Sequence, residues 1–199
     1  PDTDHVVVDG KDVYPYQNEK ICIMLNKPRG YVTTASDDRG RRVVTDLVQE
    51  AGRRVYPIGR LDMNSEGLLL LTDDGDLTYR LTHPRHEIPK IYQVSVRGAV
   101  TKEQLKKLSS PMTLDGYTIQ PVQTEVLSLP DPEHKNTVLR MTLYEGRNRQ
   151  IRKMCDNAGL SVARLCRIAV GQLTLGGLRC GEWRYLTKKE IEYLMGGKD

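Results

Sequence analysis

One carboxylate stands where chemistry is possible. Asp62 lies in the run Ile58-Gly59-Arg60-Leu61-Asp62-Met63-Asn64-Ser65-Glu66-Gly67, between two apolar stretches. Apolar neighbours such as Leu61 and Met63 favour the protonated form of a carboxyl, whereas a nearby guanidinium keeps it ionised. An ionised, partly desolvated Asp is a competent nucleophile or base. Arg60 is one candidate partner, and the basic segment around residue 150 offers others. The same residues admit a plainer reading, because an Asp beside Asn-Ser and Gly is a common turn or cap residue. Asp62 with Glu66 also has the form of a glycosidase carboxylate pair, although a chain with one Trp has little else to suggest sugar binding.

The other reactive side chains narrow the possibilities. Cys22, Cys155, Cys166 and Cys180 form no C-x-x-C pair, and no His stands at metal-ligand spacing from them. Buried or free thiols in a reducing compartment are expected, with no metal. In the segment 148–158, Ile151, Met154, Cys155 and Ala158 recur at i, i+3, i+4 and i+7, the core face of a helix. Arg149, Arg152 and Lys153 then fall on the opposite face, a basic stripe that suits a phosphate groove. An ordinary amphipathic helix has the same pattern.

Charge supports the groove only when it is partitioned. The chain of 199 residues has a formal net charge of +4, too small to mark a nucleic-acid binder by itself. Between Lys27 and Arg60, however, stand eight basic and four acidic residues, and between Arg140 and Glu190 eleven basic and four acidic. The rest of the chain is net acidic. Arg outnumbers Lys 18 to 12, which suits bidentate phosphate contacts and stacking on bases.

The elements that must position these groups follow from pattern and punctuation. A length of 199 residues allows one large domain or two small ones. The longest purely apolar run, Leu68–Leu71, is far short of the roughly 18–20 residues that cross a bilayer. It reads as a strand buried on both faces. Strands are also expected at His5–Val8, Ile21–Leu25, Val55–Ile58, Ile91–Val96, two near 117–128, Thr137–Leu143, Ala163–Ala169 and Gln172–Leu175. Helices are expected over 43–50, 76–81 and 148–158, and after the capping boxes Thr101…Gln104 and Thr187…Glu190. Asp9-Gly10 reads as a turn, and residues 35–42 as a charged loop. Strands outnumber helices and neighbours look antiparallel, so the fold class is α+β. The N-terminus shows no charged segment leading into an apolar core. It also lacks Met, as expected of a piece of a longer chain.

At Gly59-Arg60-Leu61-Asp62, continuing MNSEGLLLLTDDGDLTYRLTHP, the chain resembles the pseudouridine synthases, in the branch of the small-subunit ribosomal enzyme and its large-subunit relatives. MLNKPRGYVTT at 24–34, KIYQVSVRG at 90–98, EGRNRQIRKMC at 145–155, SVARLCRIAVGQLTL at 161–175 and LRCGEWRYLTKKE at 178–190 resemble further family motifs in the family's order. The resemblance covers about residues 20–195. DDRGRRVVTDLV at 37–48 looks more like the large-subunit type. HVVVDGKDV at 5–13 is similar to the last strand of an S4-type RNA-binding domain, so residues 1–19 are expected to be its tail and a linker, and 20–199 the catalytic domain.

The resemblance implies a mixed, mainly antiparallel sheet flanked by helices, with a cleft holding Asp62. It implies isomerisation of a specific uridine in ribosomal RNA by a cytoplasmic, monomeric enzyme with no cofactor or metal. The N-glycosidic bond breaks, the uracil turns, and C5 rejoins the sugar. Asp62 would be the essential carboxylate, attacking the sugar, adding to the base or removing a sugar proton. Tyr92 would stack on the flipped base, Arg152 would pair with Asp62, and Leu165 would pack in the pocket wall. Arg60 and Leu61 would hold the loop or assist flipping. Lys27, Arg29, Arg147, Arg149 and Lys153 are expected against RNA. Chemistry on a base within folded RNA requires extruding it onto an aromatic platform, which fits this set. A small-subunit target, and a non-catalytic ribosome-assembly factor on the same fold, are the alternatives. A DNA-binding regulator lacks a helix-turn-helix signal.

Overall fold

A run such as Leu68–Leu71 must be covered on both sides, and the rest of the fold supplies the two covers. The computed structural model describes residues 6–8, 11–13, 20–83, 85 and 88–196. Its elements in chain order are β1 (Val6–Val8), β2 (Lys11–Val13), β3 (Cys22–Lys27), a 3-10 segment (Val44–Ala51), β4 (Tyr56–Ile58), β5 (Glu66–Thr72), α1 (Gly75–Thr82), β6 (Lys90–Arg97), α2 (Lys102–Leu108), β7 (Met112–Leu114), β8 (Tyr117–Ile119), β9 (Gln123–Ser128), β10 (Asn136–Leu143), α3 (Gln150–Asn157), β11 (Val162–Val170), β12 (Leu173–Thr174), β13 (Trp183–Tyr185) and α4 (Lys188–Leu194).

Nine strands form one sheet in the order β13-β3-β5-β11-β6-β10-β9, with β4 on β5 and β12 on β11. β5 and β11 pair in parallel, and the other strand pairs are antiparallel. Period-two alternation on β3 and β5 sends side chains to opposite faces. Met24, Leu68 and Leu70 pack with Leu77 and Leu81 of α1 and Leu194 of α4. Ile23, Leu25, Leu69 and Leu71 pack on the other side with Val44, Val48 and Leu61. A further core joins Val94, Val96, Leu139 and Met141 to Leu108 of α2 and Ile151, Met154 and Cys155 of α3.

The expected α+β class stands, and the helices lie where their signals put them. Both capping boxes form: Thr101 with Gln104 ahead of α2, and Thr187 with Glu190 ahead of α4. Asp74 caps α1 by accepting from the backbone N–H of Asp76 and Leu77. The helix expected over 43–50 is 3-10 in character. β2, β7 and β13, each of three residues, were not anticipated. The turn at Asp9-Gly10 and the connector at 14–19 lie outside the described residues.

What positions Asp62 is the lacing of the 59–65 loop. Thr33 Oγ1 donates to the Leu61 carbonyl at 2.6 Å and accepts from the Leu61 N–H at 3.3 Å. Gly30 N–H donates to the Met63 carbonyl at 2.8 Å, and Ser65 N–H to the Asp62 carbonyl at 3.0 Å. Lys27 corrects an expectation. It does not border a groove; it is wholly buried, and its ammonium donates to the carbonyls of Ser65 at 2.8 Å, Pro28 at 3.0 Å and Asp62 at 3.1 Å. A charge in that position is tolerated because three carbonyls replace its water. Burial still pushes its pKa down to about 8, against the pull of Asp62 and Glu66.

Where this loop enters β5, Gly67 has φ +106°, and a Cβ there would lie 2.2 Å from the Arg167 carbonyl oxygen of β11. Backbone cannot retreat as a flexible side chain can. Gly67→Ala is expected to destabilise the fold by about 3 kcal/mol or more in denaturant titrations, through both clash and positive φ. A loss below about 1 kcal/mol would show that β5 and β11 separate easily.

Lys27→Met should cost about 3 kcal/mol at neutral pH by orphaning three carbonyls. The folded chain holds the Lys27 proton less tightly than the unfolded chain, whose lysine titrates near 10.5. The penalty for the buried charge is therefore complete below about pH 8 and is relieved as pH rises toward 10.5. The stability gap between wild type and Lys27→Met should widen across that window in urea melts. A constant gap would contradict the buried ammonium.

Candidate active site

Asp62 is half-buried, its side chain 29% exposed, at the mouth of the laced loop. Leu61 beside it is buried in the core shared by β3 and β5, so one neighbour anchors while the other, Met63, faces solvent. Arg60 is exposed. The loop thus holds its backbone inward and its carboxylate outward.

The guanidinium nearest Asp62 belongs to Arg149, with Nη1 3.5 Å from Oδ2. This corrects the expected partner, Arg152. Arg149 immediately precedes α3 in the left-handed conformation, φ 52° and ψ 30°, which directs it back over the loop. Arg152, one turn further on, donates from Nη2 to the Asn64 carbonyl at 3.1 Å. Its pKa is lowered by burial and by Arg149, with Asp62 opposing. Arg152 therefore lies within the field of Asp62 and braces the loop. The two arginines divide between them what was expected of one.

Arg29 is also committed. Its Nε pairs with Glu66 at 2.7 Å, and its Nη2 donates to the Ala163 carbonyl at 3.0 Å. Arg164 holds the other oxygen of Glu66 at 2.6 Å. Glu66 thus bridges the 27–30 turn to β11. With both oxygens taken by guanidiniums, Glu66 has none left to reach a glycosidic oxygen, which removes the glycosidase reading of Asp62 with Glu66. Arg164 escaped sequence reasoning because its partner is 98 residues away, and no local spacing reports such a pair.

Tyr92 on β6 is part-buried and packs against both the core containing Leu61 and the core containing Leu165. Leu165 is buried on β11, opposite Val94 of β6. Tyr92 stands opposite Arg167, whose Nε donates to the Leu68 carbonyl at 2.7 Å. Leu165 therefore sits on the strand beside β5, and Tyr92 on the next strand over, β6.

The two remaining basic residues expected to face RNA also have protein partners. Arg147 lies over the Tyr117 ring, 3.0 Å from its centroid, with Nε 3.4 Å from Glu145. Lys153 forms an ion pair with Asp115 in the β7–β8 turn. In the charged 35–42 loop, Arg41 donates to Asp37 and holds its pKa down to about 2. Cys22 and Cys155 are buried, with thiols pushed up to about 12 by burial, so they are inert packing groups at neutral pH. Among the described residues, no helix is long and apolar enough to cross a membrane. Cavities of about 530 and 590 Å³ lie beside β12–α4 and beside the 3-10 segment, and Asp62 lines neither.

Known proteins resemble this chain in sequence and in fold. The family model described as RNA pseudouridylate synthase matches residues 21–157. Ribosomal large subunit pseudouridine synthase B of Bacillus subtilis is 41% identical over 192 residues, covering 96% of this chain and 78% of that protein. An uncharacterized RNA pseudouridine synthase of Aquifex aeolicus is 40% identical over 195 residues, covering 98% and 76%. A crystal structure of a pseudouridylate synthase superposes with TM-score 0.77 at 31% identity, over 88% of this chain and 74% of that one. With an Asp held outward by a laced loop beside an arginine, and with sequence and fold both in agreement, the chain belongs to the RNA pseudouridylate synthase family.

Proposed function

We propose that the chain isomerises a uridine of large-subunit ribosomal RNA to pseudouridine, with Asp62 as the essential carboxylate. The observation that carries this reading is the placement of Asp62: carbonyl held by Lys27 and the Ser65 N–H, the preceding Leu61 held by Thr33, carboxylate half-exposed, guanidinium of Arg149 at 3.5 Å. Attack on the sugar, addition to the base and removal of a sugar proton all need an ionised carboxylate with an unobstructed oxygen. The glycosidic carbon–nitrogen bond breaks, a bond from C5 to the sugar forms, and the C5 proton leaves while the freed nitrogen gains one. Tyr92 stacks on the extruded uracil and Leu165 closes the wall behind it. The likeness to an enzyme named for the large subunit supports the target.

The enzyme works as a cytoplasmic monomer without cofactor or metal, and residues 1–19 are the end of an S4-type RNA-binding module joined to the catalytic domain at 20–199. Arg60, Arg149 and the outward parts of Arg29, Arg147 and Lys153 form the RNA-facing rim.

Release of tritium from uridine C5 measures turnover directly, on a large-subunit RNA transcript. Asp62→Asn keeps the size and the loop while removing the charge, and should lower the rate by at least about a thousandfold, on the scale of losing a catalytic nucleophile. Wild-type turnover by Asp62→Asn would overturn its role. Affinity for the same transcript should fall about twentyfold between roughly 50 and 200 mM salt if about three phosphates are neutralised. A salt-independent dissociation constant would contradict the rim.

A further inference from the structure

Arg149 occupies a left-handed backbone conformation, φ 52°, that a residue with a Cβ adopts only against steric cost. Such a residue stays there only when its surroundings leave it no alternative. Those surroundings are unusually complete. Gln150 N–H donates to the Arg147 carbonyl at 3.2 Å, closing a turn over Asn148 and Arg149. The Gln150 side chain closes the same turn again, its Oε1 accepting from the Arg147 N–H at 3.1 Å. Its Nε2 donates to Glu145 Oε1 at 2.9 Å. Gln150 is itself 4% exposed, so these bonds face little competition from water.

Glu145 carries the clamp outward. Its Oε1 also accepts from the Gln120 N–H at 3.2 Å, just beyond β8, and its Oε2 meets Arg147 Nε at 3.4 Å. Arg147 lies over Tyr117 of β8, and Lys153 reaches Asp115 in the β7–β8 turn. The turn that aims Arg149 at Asp62 is therefore braced by a separate two-stranded hairpin.

We propose that Gln150 and Glu145 are positioning residues that set the Arg149–Asp62 pair, with the β7–β8 hairpin as their external support. Neither touches the reacting uridine; each acts through Arg149. This inference rests on the reading of Asp62 as the essential carboxylate. The clamp needs a donor on one side and an acceptor on the other. Gln150→Glu sets two carboxylates against each other and breaks it. The exchange Glu145→Gln with Gln150→Glu restores a donor–acceptor pair at unchanged net charge.

A double-mutant cycle on turnover and RNA affinity tests it, using tritium release from uridine C5 in a large-subunit RNA transcript and filter binding of the same transcript. Gln150→Glu should slow turnover at saturating enzyme about tenfold and change the dissociation constant less than twofold. The double exchange should recover turnover to within about threefold of wild type. In an Arg149→Ala background, Gln150→Glu should cost less than twofold. The same tenfold cost in both backgrounds, or lost RNA affinity with unchanged turnover, would overturn the proposal. If Gln150→Glu does not fold by circular dichroism, Glu145→Ala, alone and with Arg149→Ala, removes the acceptor and provides the same cycle. A fully active Asp62→Asn would overturn the Asp62 reading and this inference with it. An inactive Asp62→Asn beside an additive cycle would overturn the clamp alone.

Discussion

The ammonium of Lys27 ties the turn after β3 to the 59–65 loop through three carbonyls, those of Pro28, Asp62 and Ser65. A hydrophobic side chain there would fill the space but leave three carbonyls unpaired, and a small polar one could not reach them all. A lysine suits this task because its head is compact and donates in three directions. Because the pairing is with carbonyl dipoles and no carboxylate bonds it directly, Lys27 keeps its positive charge beneath the Asp62 loop. The site is thus electropositive from below before Arg149 and Arg152 approach it from α3. Asp62 meets one guanidinium through one oxygen without being locked into a bidentate bridge, and its side chain stays partly exposed.

The sheet makes this arrangement rigid. β5 leaves the loop at Glu66 and runs at once into a segment buried on both faces, so the loop's exit has no freedom to shift. Gly67 lets the Arg167 backbone of β11 come within a distance that excludes any side chain. Glu66, one residue earlier, fastens Arg29 and Arg164. Within two residues the chain therefore contacts the first family motif, the strand of Leu165 and the core. Precision at Asp62 comes from this convergence more than from the loop's own conformation.

The fold was largely legible because its signals are local. The capping boxes at Thr101 and Thr187 fixed two helix starts, and Leu68–Leu71 announced the central strand by being apolar on both faces. What escaped was short or non-local. β13 consists of three residues, and its pairing with β3 brings together positions far apart in sequence. β7 is equally brief, and nothing in MTL separates it from a loop. Within the site, Asp62 was legible from its loop and motif. The roles of Lys27, Arg149 and Arg152 were not, because a sequence gives residue types but not which cation is buried. Nothing in the spelling of RNRQIR tells that its second arginine adopts a left-handed backbone and takes the place expected of the third.

That conformation changes the meaning of the basic motif. Had the helix begun earlier, Arg149 would lie on the same exposed stripe as Arg152 and Lys153, and the motif would be a simple phosphate contact. Instead the motif contributes four cations with four assignments: Arg147 to an aromatic ring and Glu145, Arg149 to Asp62, Arg152 to the loop backbone, Lys153 to the hairpin turn. Three of these are structural. A surface built only to attract RNA would leave its charges solvated, where they cost nothing to hold and screen readily. Committing them to partners gives up some long-range attraction and gains fixed geometry around one carboxylate; under the role proposed for Asp62, the reaction needs that placement more.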